Sequence, residues 1–469
     1  MTDSAEQTAD LLRQALVYEG AGQLERARQV YVRALQSQPQ DTSIYNRLGL
    51  VLQKEGKLDE ALTCYGRALA IDSGDATAHY NRGVALFEQE LLVDAAASFE
   101  RSIASEPASA TAHNNLGYTL YCMGQYVEAE RHYGRALELE PDLVDANWNL
   151  CILHLLMGDL RAGWERFTYR HAMSPFPRRV QTKPSWEGQP LSGQTILLYK
   201  ESGLGDTIQF ARYAPLVAER GARVVFEVQP ELMRLFQTLD GVDLLVKRGA
   251  QLPEFDYECS IMDLPRIFGT TLQLVPAAPY LSANPILARR WHKQLGPGFK
   301  AGLVWAGNPK LPNDRHRSIP VTRLEPLLST DVHWISLQKG PAAAQASDGP
   351  AGMRLLPLGE KLDDFAETAA VIENLDLVIT VDTSVAHLGG ALGKRVWLLL
   401  PFVPDWRWLA EREDSPWYPG TRLFRQTEFG NWSSVIERVA RELRALPETQ
   451  RPRGVIARLK HGLRRFHER

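Results

Sequence analysis

Little in this chain would tie it to a metal, a membrane or a polyanion. Only four cysteines occur in 469 residues, Cys64, Cys122, Cys151 and Cys259, and none falls in a CxxC or Cys/His spacing. Such usage provides no metal site and fits a reducing compartment. The opening stretch MTDSAEQTADLLRQAL lacks the basic start and apolar core of a secretory signal, and no run of about 18 apolar residues is present to span a bilayer. A cytoplasmic protein is expected. An excess of charge of one sign is also missing: 53 Lys and Arg stand against 56 Asp and Glu, a formal net charge of −3, which removes any general reason to expect nucleic acid as a partner. With 44% hydrophobic and 23% charged residues the composition is that of a globular protein, and the length suits about three domains.

What is present is a strict period. Ala27, Ala61, Ala95, Ala129 and Gly163 follow one another at 34 residues, as do Tyr31, Tyr65, Phe99, Tyr133 and Phe167, and Pro39, Pro107, Pro141 and Pro175 hold the same register. Thirty-four residues is the period of the tetratricopeptide helix-turn-helix repeat. The small residue permits close helix contact, the aromatic four residues on shares its helical face, and the proline ends the second helix. Gly22, Gly56, Gly124 and Gly158 stand at the turns between paired helices, with Glu90 taking the place of a glycine in the third unit. Gly49, Gly83 and Gly117 mark close contact inside the first helices. The expected solenoid covers residues 1–175 in about five units. Gly163, Trp164 and Arg170 make the fifth unit a joint. Stacked helical arrays bind partners, so any chemistry is expected beyond about residue 180.

Residues 176–190, rich in Pro, Gly and polar side chains, read as a surface connector. The period then changes. TILLY (195–199), RVVFEV (223–228) and the run 242–246 are short apolar segments separated by helical stretches, and AGLVWAG, VHWISL, DLVITV and RVWLLL form a second such set. Strand-helix alternation indicates parallel sheets, here in two α/β lobes, 191–295 and 296–450, with a cleft between them. From Arg451 to the end there are seven Lys or Arg against one Glu, with Ile456, Leu459, Leu463 and Phe466 spaced for one helical face. This basic amphipathic tail, 451–469, is read as a solvated or self-docked helix, with contact to the inner face of an anionic membrane as the alternative.

Three motifs could carry chemistry. Gly203-Leu204-Gly205-Asp206 lies directly after the strand TILLY and opens a helix, where bare glycines let backbone N–H groups approach a ligand. Glu227 ends the next strand at the distance a dinucleotide site would ask, but Ile208 stands where the third glycine belongs. Asp206 reads either as a helix cap or as a general base at the cleft edge. The second motif, Asp382-Thr383-Ser384-Val385-Ala386-His387 after DLVITV, offers hydroxyls and free N–H donors for a pyrophosphate, or simply a helix start with a packed core histidine. The third is the loop after AGLVWAG, holding Asn308, Lys310, Asn313, Arg315, His316 and Arg317, where clustered guanidinium groups suit a diphosphate unless the loop is only a solvated basic one. PDWRWL (404–409) could flank a ligand or belong to the core between the lobes.

Together these motifs resemble the bacterial family-9 glycosyltransferases, the heptosyltransferase-like group. The resemblance rests on GLGD with Pro215 in the following helix, on Arg317-Ser318-Ile319-Pro320, and on VDTSVAHLGGALGKRVWLL, and covers roughly 250 residues. It implies two Rossmann-like lobes in the GT-B arrangement and an inverting sugar transfer from a nucleotide diphosphate donor, with no cofactor or metal. By position, Asp206 matches the catalytic base and Arg317 a basic residue contacting donor phosphates. Gly203 and Gly205 fall at the ligand turn, and Asn308 and Arg315 on the basic loop. Asp382, Thr383, Ser384 and His387 match the donor-binding turn, with Ser384 where glycine is more usual, and Gln338 is the nearest residue to the family's ribose-contacting acid. PDWRWL departs from the lipopolysaccharide heptosyltransferases, so the sugar is left open. The expected partners are a nucleotide sugar and a protein or glycan acceptor held by the repeats. A non-catalytic scaffold and a nucleotide-sugar epimerase or hydrolase on the same fold stay as alternatives.

Overall fold

The structure, a computed structural model, describes residues 2–173, 179–311, 313–329, 332–350 and 353–446. It divides into two compact units, Met1–Leu153 and His154–Arg469. In the first, helices come in pairs: α1 (Thr2–Gly20) with α2 (Leu24–Ser37), α3 (Thr42–Lys54) with α4 (Leu58–Ile71), α5 (Ala76–Glu88) with α6 (Leu92–Ser105), and α7 (Ala110–Cys122) with α8 (Tyr126–Leu139). Helix α9 (Val144–Met157) comes next and runs across the division.

The 34-residue register is a packing register. Ala27, Ala61, Ala95 and Ala129 have no exposed surface, and Tyr31, Tyr65, Phe99 and Tyr133 are buried with them. Each of the last three rings covers a glycine on the preceding helix. A Cβ on Gly83 would lie 2.7 Å from the Phe99 ring, and one on Gly117 2.8 Å from that of Tyr133. Start signals repeat too, because Asp41, Asp75 and Ser109 accept hydrogen bonds from the backbone N–H of Ser43, Ala78 and Ala112. At the turns Gly22, Gly56 and Gly124 have φ of 70°, 76° and 76°, and Glu90 is forced to 64° in the third unit. An L-residue is strained in that left-handed conformation.

The second unit begins inside the fifth repeat, ahead of the boundary at 175 expected from the register. Helix α10 (Leu160–Arg166) closes that repeat and tightens into a 3-10 turn over 167–172. Its side chains explain why it belongs with the α/β sequence after it. Trp164 Nε1 donates to the carbonyl of Thr270 at 3.0 Å, and its ring meets Trp406 edge-on with centroids 5.4 Å apart. Arg170, 1% exposed, forks onto both oxygens of Glu201 at 2.8 Å and reaches Asp263 at 2.9 Å. The connector is docked as well: Trp186 is buried, its backbone N–H bonded to the carbonyl of Glu258 at 3.0 Å. Pro175 and the basic tail 451–469 lie outside the described residues. Among the described residues no helix is long and apolar enough to cross a membrane.

Two parallel sheets complete the second unit. The first lobe carries β1 (Thr195–Tyr199), α11 (Leu204–Phe210), α12 (Ala214–Ala218), β2 (Arg223–Val228), β3 (Leu244–Lys247), β4 (Tyr257–Ser260) and α13 (Leu264–Ile267), with strand order β3-β2-β1-β4. Helix α14 (Pro285–Leu295) leads to β5 (Lys300–Val304), α15 (Asp314–Arg317), β6 (His333–Ser336), β7 (Leu355–Pro357) and α16 (Phe365–Glu373). Then come β8 (Leu377–Val381), α17 (Ser384–Ala391), β9 (Val396–Leu400), β10 (Thr421–Arg425) and α18 (Trp432–Ala445), in strand order β10-β9-β8-β5-β6-β7. Every residue of β5, β8 and β9 is buried, as befits central strands covered on both faces. In each sheet the chain order reverses beside the first strand, between β1 and β4 and between β5 and β8. Crevices for ligands open at the carboxyl ends of strands at such points.

Candidate active site between the two sheets

The turn after β1 and the turn after β8 meet. Helix α11 packs on α17 so closely that a Cβ on Gly205 would lie 2.9 Å from the His387 ring and 3.6 Å from the Cα of Ser384. The bare face of Gly205 is therefore taken up by His387, not left for a ligand as the sequence suggested. Gly203, at φ −73°, needs no left-handed freedom, and its N–H is spent on Asp206 Oδ2 at 2.9 Å. Asp206 does cap its helix. Its other oxygen, Oδ1, accepts from Arg407 Nη2 at 2.5 Å.

Arg407 belongs to PDWRWL, the segment read as a ligand flank or as core between the lobes, and the sequence did not pair it with Asp206. Buried between two tryptophans in PDWRWL, it also donates through Nε to Gln209 Oε1 at 2.6 Å and through Nη1 to both oxygens of Asp405 at 2.9 and 3.1 Å. Its guanidinium lies over the Trp406 ring, 4.4 Å from the centroid. Burial alone would push its pKa down, but Asp405 first and Asp206 next hold it up. The two tryptophans are core, 4% and 0% exposed, and the arginine between them is buried with them at 8%. A charged residue spaced inside an aromatic run was the available signal.

Asp382 sits at the end of β8 within the field of the same groups. Burial, then the Asp405 carboxylate, pushes its pKa up to about 7 against the pull of Arg317 and Arg407. Arg317 comes to this turn as expected, donating to the backbone carbonyl of Asp382 at 3.1 Å while Asp314 holds its Nε at 3.0 Å. Thr383 starts α17 without capping it, its hydroxyl 3.1 Å from that of Thr380, and the half-buried Ser384 opens the helix. The first N–H groups of a helix lack intrahelical acceptors, and such groups are donors that an anion can use.

His387 is a packed histidine. It is 5% exposed, with Nδ1 3.0 Å from the Tyr418 hydroxyl and its ring against Trp408 and Tyr418. Burial, helped by Arg407, lowers its pKa to about 3, so the ring is neutral and brings no charge to a phosphate. Gln338 does not face a ligand either. It is 3% exposed and clamps the loop after β5, accepting from the N–H of Trp305 and Ala306 and donating to the carbonyls of Ala306 and Lys339. Asn308 and Arg315 lie on the exposed part of the basic loop, where Asn308 Oδ1 accepts from the N–H of Lys310. Glu227, the acid of the incomplete dinucleotide fingerprint, is bound to Arg179 at 2.6 Å.

Comparison with known proteins bears mainly on the repeats. A family model described as TPR repeat matches residues 52–90, and one described as Tetratricopeptide repeat matches residues 110–143. The chain carries tetratricopeptide repeats, an architecture for binding other proteins. Protein FlbA of Caulobacter vibrioides is 30% identical over 323 residues, which make up 62% of this chain and 53% of FlbA. The chain thus spans about half the length of that relative, and the matched share is larger than the repeat array, so it takes in α/β sequence. Among solved structures, MamA is 21% identical with a TM-score of 0.31, covering 33% of this chain and 91% of MamA. PilF of Pseudomonas aeruginosa is 21% identical with a TM-score of 0.34, covering 36% of this chain and 76% of that one.

Proposed function

We propose that the second unit is a glycosyltransferase of the GT-B type, related to the heptosyltransferase-like group, acting on a protein or glycan acceptor that the repeats hold. The observation that supports it most is the close packing of Gly205, next to Asp206, on Ser384 and His387 of α17, at the switch points of two parallel sheets. In the proposed reaction the acceptor hydroxyl attacks the anomeric carbon of a nucleotide-diphosphate sugar from the face opposite the leaving group. Asp206 takes the hydroxyl proton as the new C–O bond forms. The bond from the anomeric carbon to the diphosphate oxygen breaks, and the departing charge is received by the first-turn N–H groups of α17 and by Arg317. The product sugar is inverted. The neutral His387 and the clamp of Gln338 shape the walls of this site without touching charge.

The test is a panel of UDP-, GDP-, ADP- and CMP-sugars. Thermal shift identifies which nucleotide stabilises the protein, and release of free nucleotide is then followed with and without a cell extract as acceptor source. The proposal expects one nucleotide class to stabilise, and its release to accelerate on adding extract. No stabilisation by any of them contradicts an enzyme of this kind, and conversion to a free epimerised nucleotide sugar makes the protein an isomerase.

A further inference from the structure

Arg407 is too heavily engaged to be a donor ligand in waiting. Its Nε is committed to Gln209, its Nη1 to both oxygens of Asp405 and its Nη2 to Asp206. Asp405 and Arg407 come from the second lobe, whereas Asp206 and Gln209 stand on α11 of the first. Contacts from Nε and Nη2 to α11 and from Nη1 to Asp405 define the orientation of the planar guanidinium. Gln209 adds a telling detail. With Oε1 turned to Arg407, its Nε2 is buried without a hydrogen-bond partner, an arrangement the fold accepts in order to keep the acceptor on the arginine.

Around this bridge further contacts join the lobes. Arg212 of the first lobe, 2% exposed, donates to the carbonyl of Trp417 at 3.0 Å, and the backbone N–H of Tyr280 donates to the carbonyl of Ala391 at 3.1 Å. Phe210 meets Trp417 edge-on at 6.4 Å. We infer that Arg407 is the positioning residue of the proposed transfer: it reaches from the second lobe to aim the Asp206 carboxylate at the crevice, so that the base is already placed before any ligand enters. The inference rests on the reading of Asp206 as the base. It assigns Arg407 an effect on turnover through Asp206 and none on nucleotide affinity, since the α17 turn and Arg317 supply that.

The experiment pairs kinetics with a stability cycle on the full chain. Arg407→Lys keeps the buried positive charge but cannot fork onto Asp206 and Asp405 together. It is expected to bind UDP, GDP or ADP, whichever the wild type prefers, within about threefold of wild type. Its kcat should fall at least 100-fold with KM little changed. Arg407→Ala should regain part of its kcat with free guanidinium chloride at millimolar concentration, and not with an equal concentration of sodium chloride. Wild-type kcat in Arg407→Lys, or a loss carried by nucleotide affinity, overturns the inference while leaving a transferase intact. The cycle reads the contact itself: Asp206→Asn, Arg407→Lys and the double variant are compared by Tm. Coupling predicts that the double variant melts no lower than the worse single one, and additive losses overturn it.

Discussion

The two units solve the problem of close helix contact in opposite ways. In the repeats, α5 meets α6 and α7 meets α8 through the same device, a glycine under an aromatic ring, copied every 34 residues. In the α/β unit, α11 meets α17 through a glycine under His387, a contact outside any repeat with Arg407, Asp405, Asp206 and Asp382 close by. Repetition yields a surface whose stability is spread over like interfaces. The single contact concentrates charge in a buried place, which costs stability and is the usual mark of a functional site.

Breaking each device should therefore give different penalties. Arg170→Ala strips a buried guanidinium from Glu201 and Asp263, leaving carboxylates without their partner. The expected loss is about 3–5 kcal/mol from the second unit, read as a drop in the urea midpoint followed by tryptophan fluorescence. Gly83→Ala pushes a methyl into the Phe99 ring and is expected to cost about 1–3 kcal/mol in the repeats, read by circular dichroism at helical wavelengths. If Gly83→Ala proved neutral, the register would be one of helix propensity and not of packing.

Acid and base should also act on the two units with opposite sign. In the repeats His113 Nδ1 lies 3.1 Å from His132 Nδ1, and burial, then the neighbouring ring, lowers His132 to about 4. A lowered histidine stabilises the fold above its unfolded value, about 6.5, and that contribution is lost as pH falls toward 4. Asp382, raised to about 7, does the reverse. Its contribution is complete below the unfolded value of about 4 and is lost as pH rises to 7. Melts of the full chain between pH 4 and 7 should show His132→Gln flattening the first trend and Asp382→Asn the second. The smallest expected effect is a gain. Glu90→Gly relieves a left-handed glutamate at φ 64° and should stabilise the third repeat by up to about 1 kcal/mol, since the added freedom of the unfolded chain offsets part of the relief.

How far the sequence could be read tracks the same contrast. A period repeats its evidence, so the turns, the buried aromatics and even the oddity at Glu90 were visible in the residue order alone. Strands buried on both faces announce themselves as apolar runs, and β1, β2, β5, β6, β8 and β9 stood out, as did β3 within the run 242–246. The strands β4, β7 and β10 did not, because YECS, LLP and TRLFR are short or carry charge. The residues that the fold gathers at the candidate site were legible wherever a motif lies on contiguous residues at a strand end, as for Asp206, Arg317 and Asp382. The site was illegible where the partner comes from a distant part of the chain: nothing near Asp206 in sequence announces Arg407. Nor does a residue's type disclose what its side chain is spent on. Gln338 and His387 were reasonable ligand groups by position, and the fold uses both for internal bonds.

The most direct test of the account compares nucleotide release from the preferred nucleotide sugar by the wild type and by Asp206→Asn, at equal nucleotide occupancy and with acceptor extract present. The account predicts unchanged nucleotide binding and a loss of at least about 100-fold in turnover for Asp206→Asn. Full turnover by Asp206→Asn would contradict it.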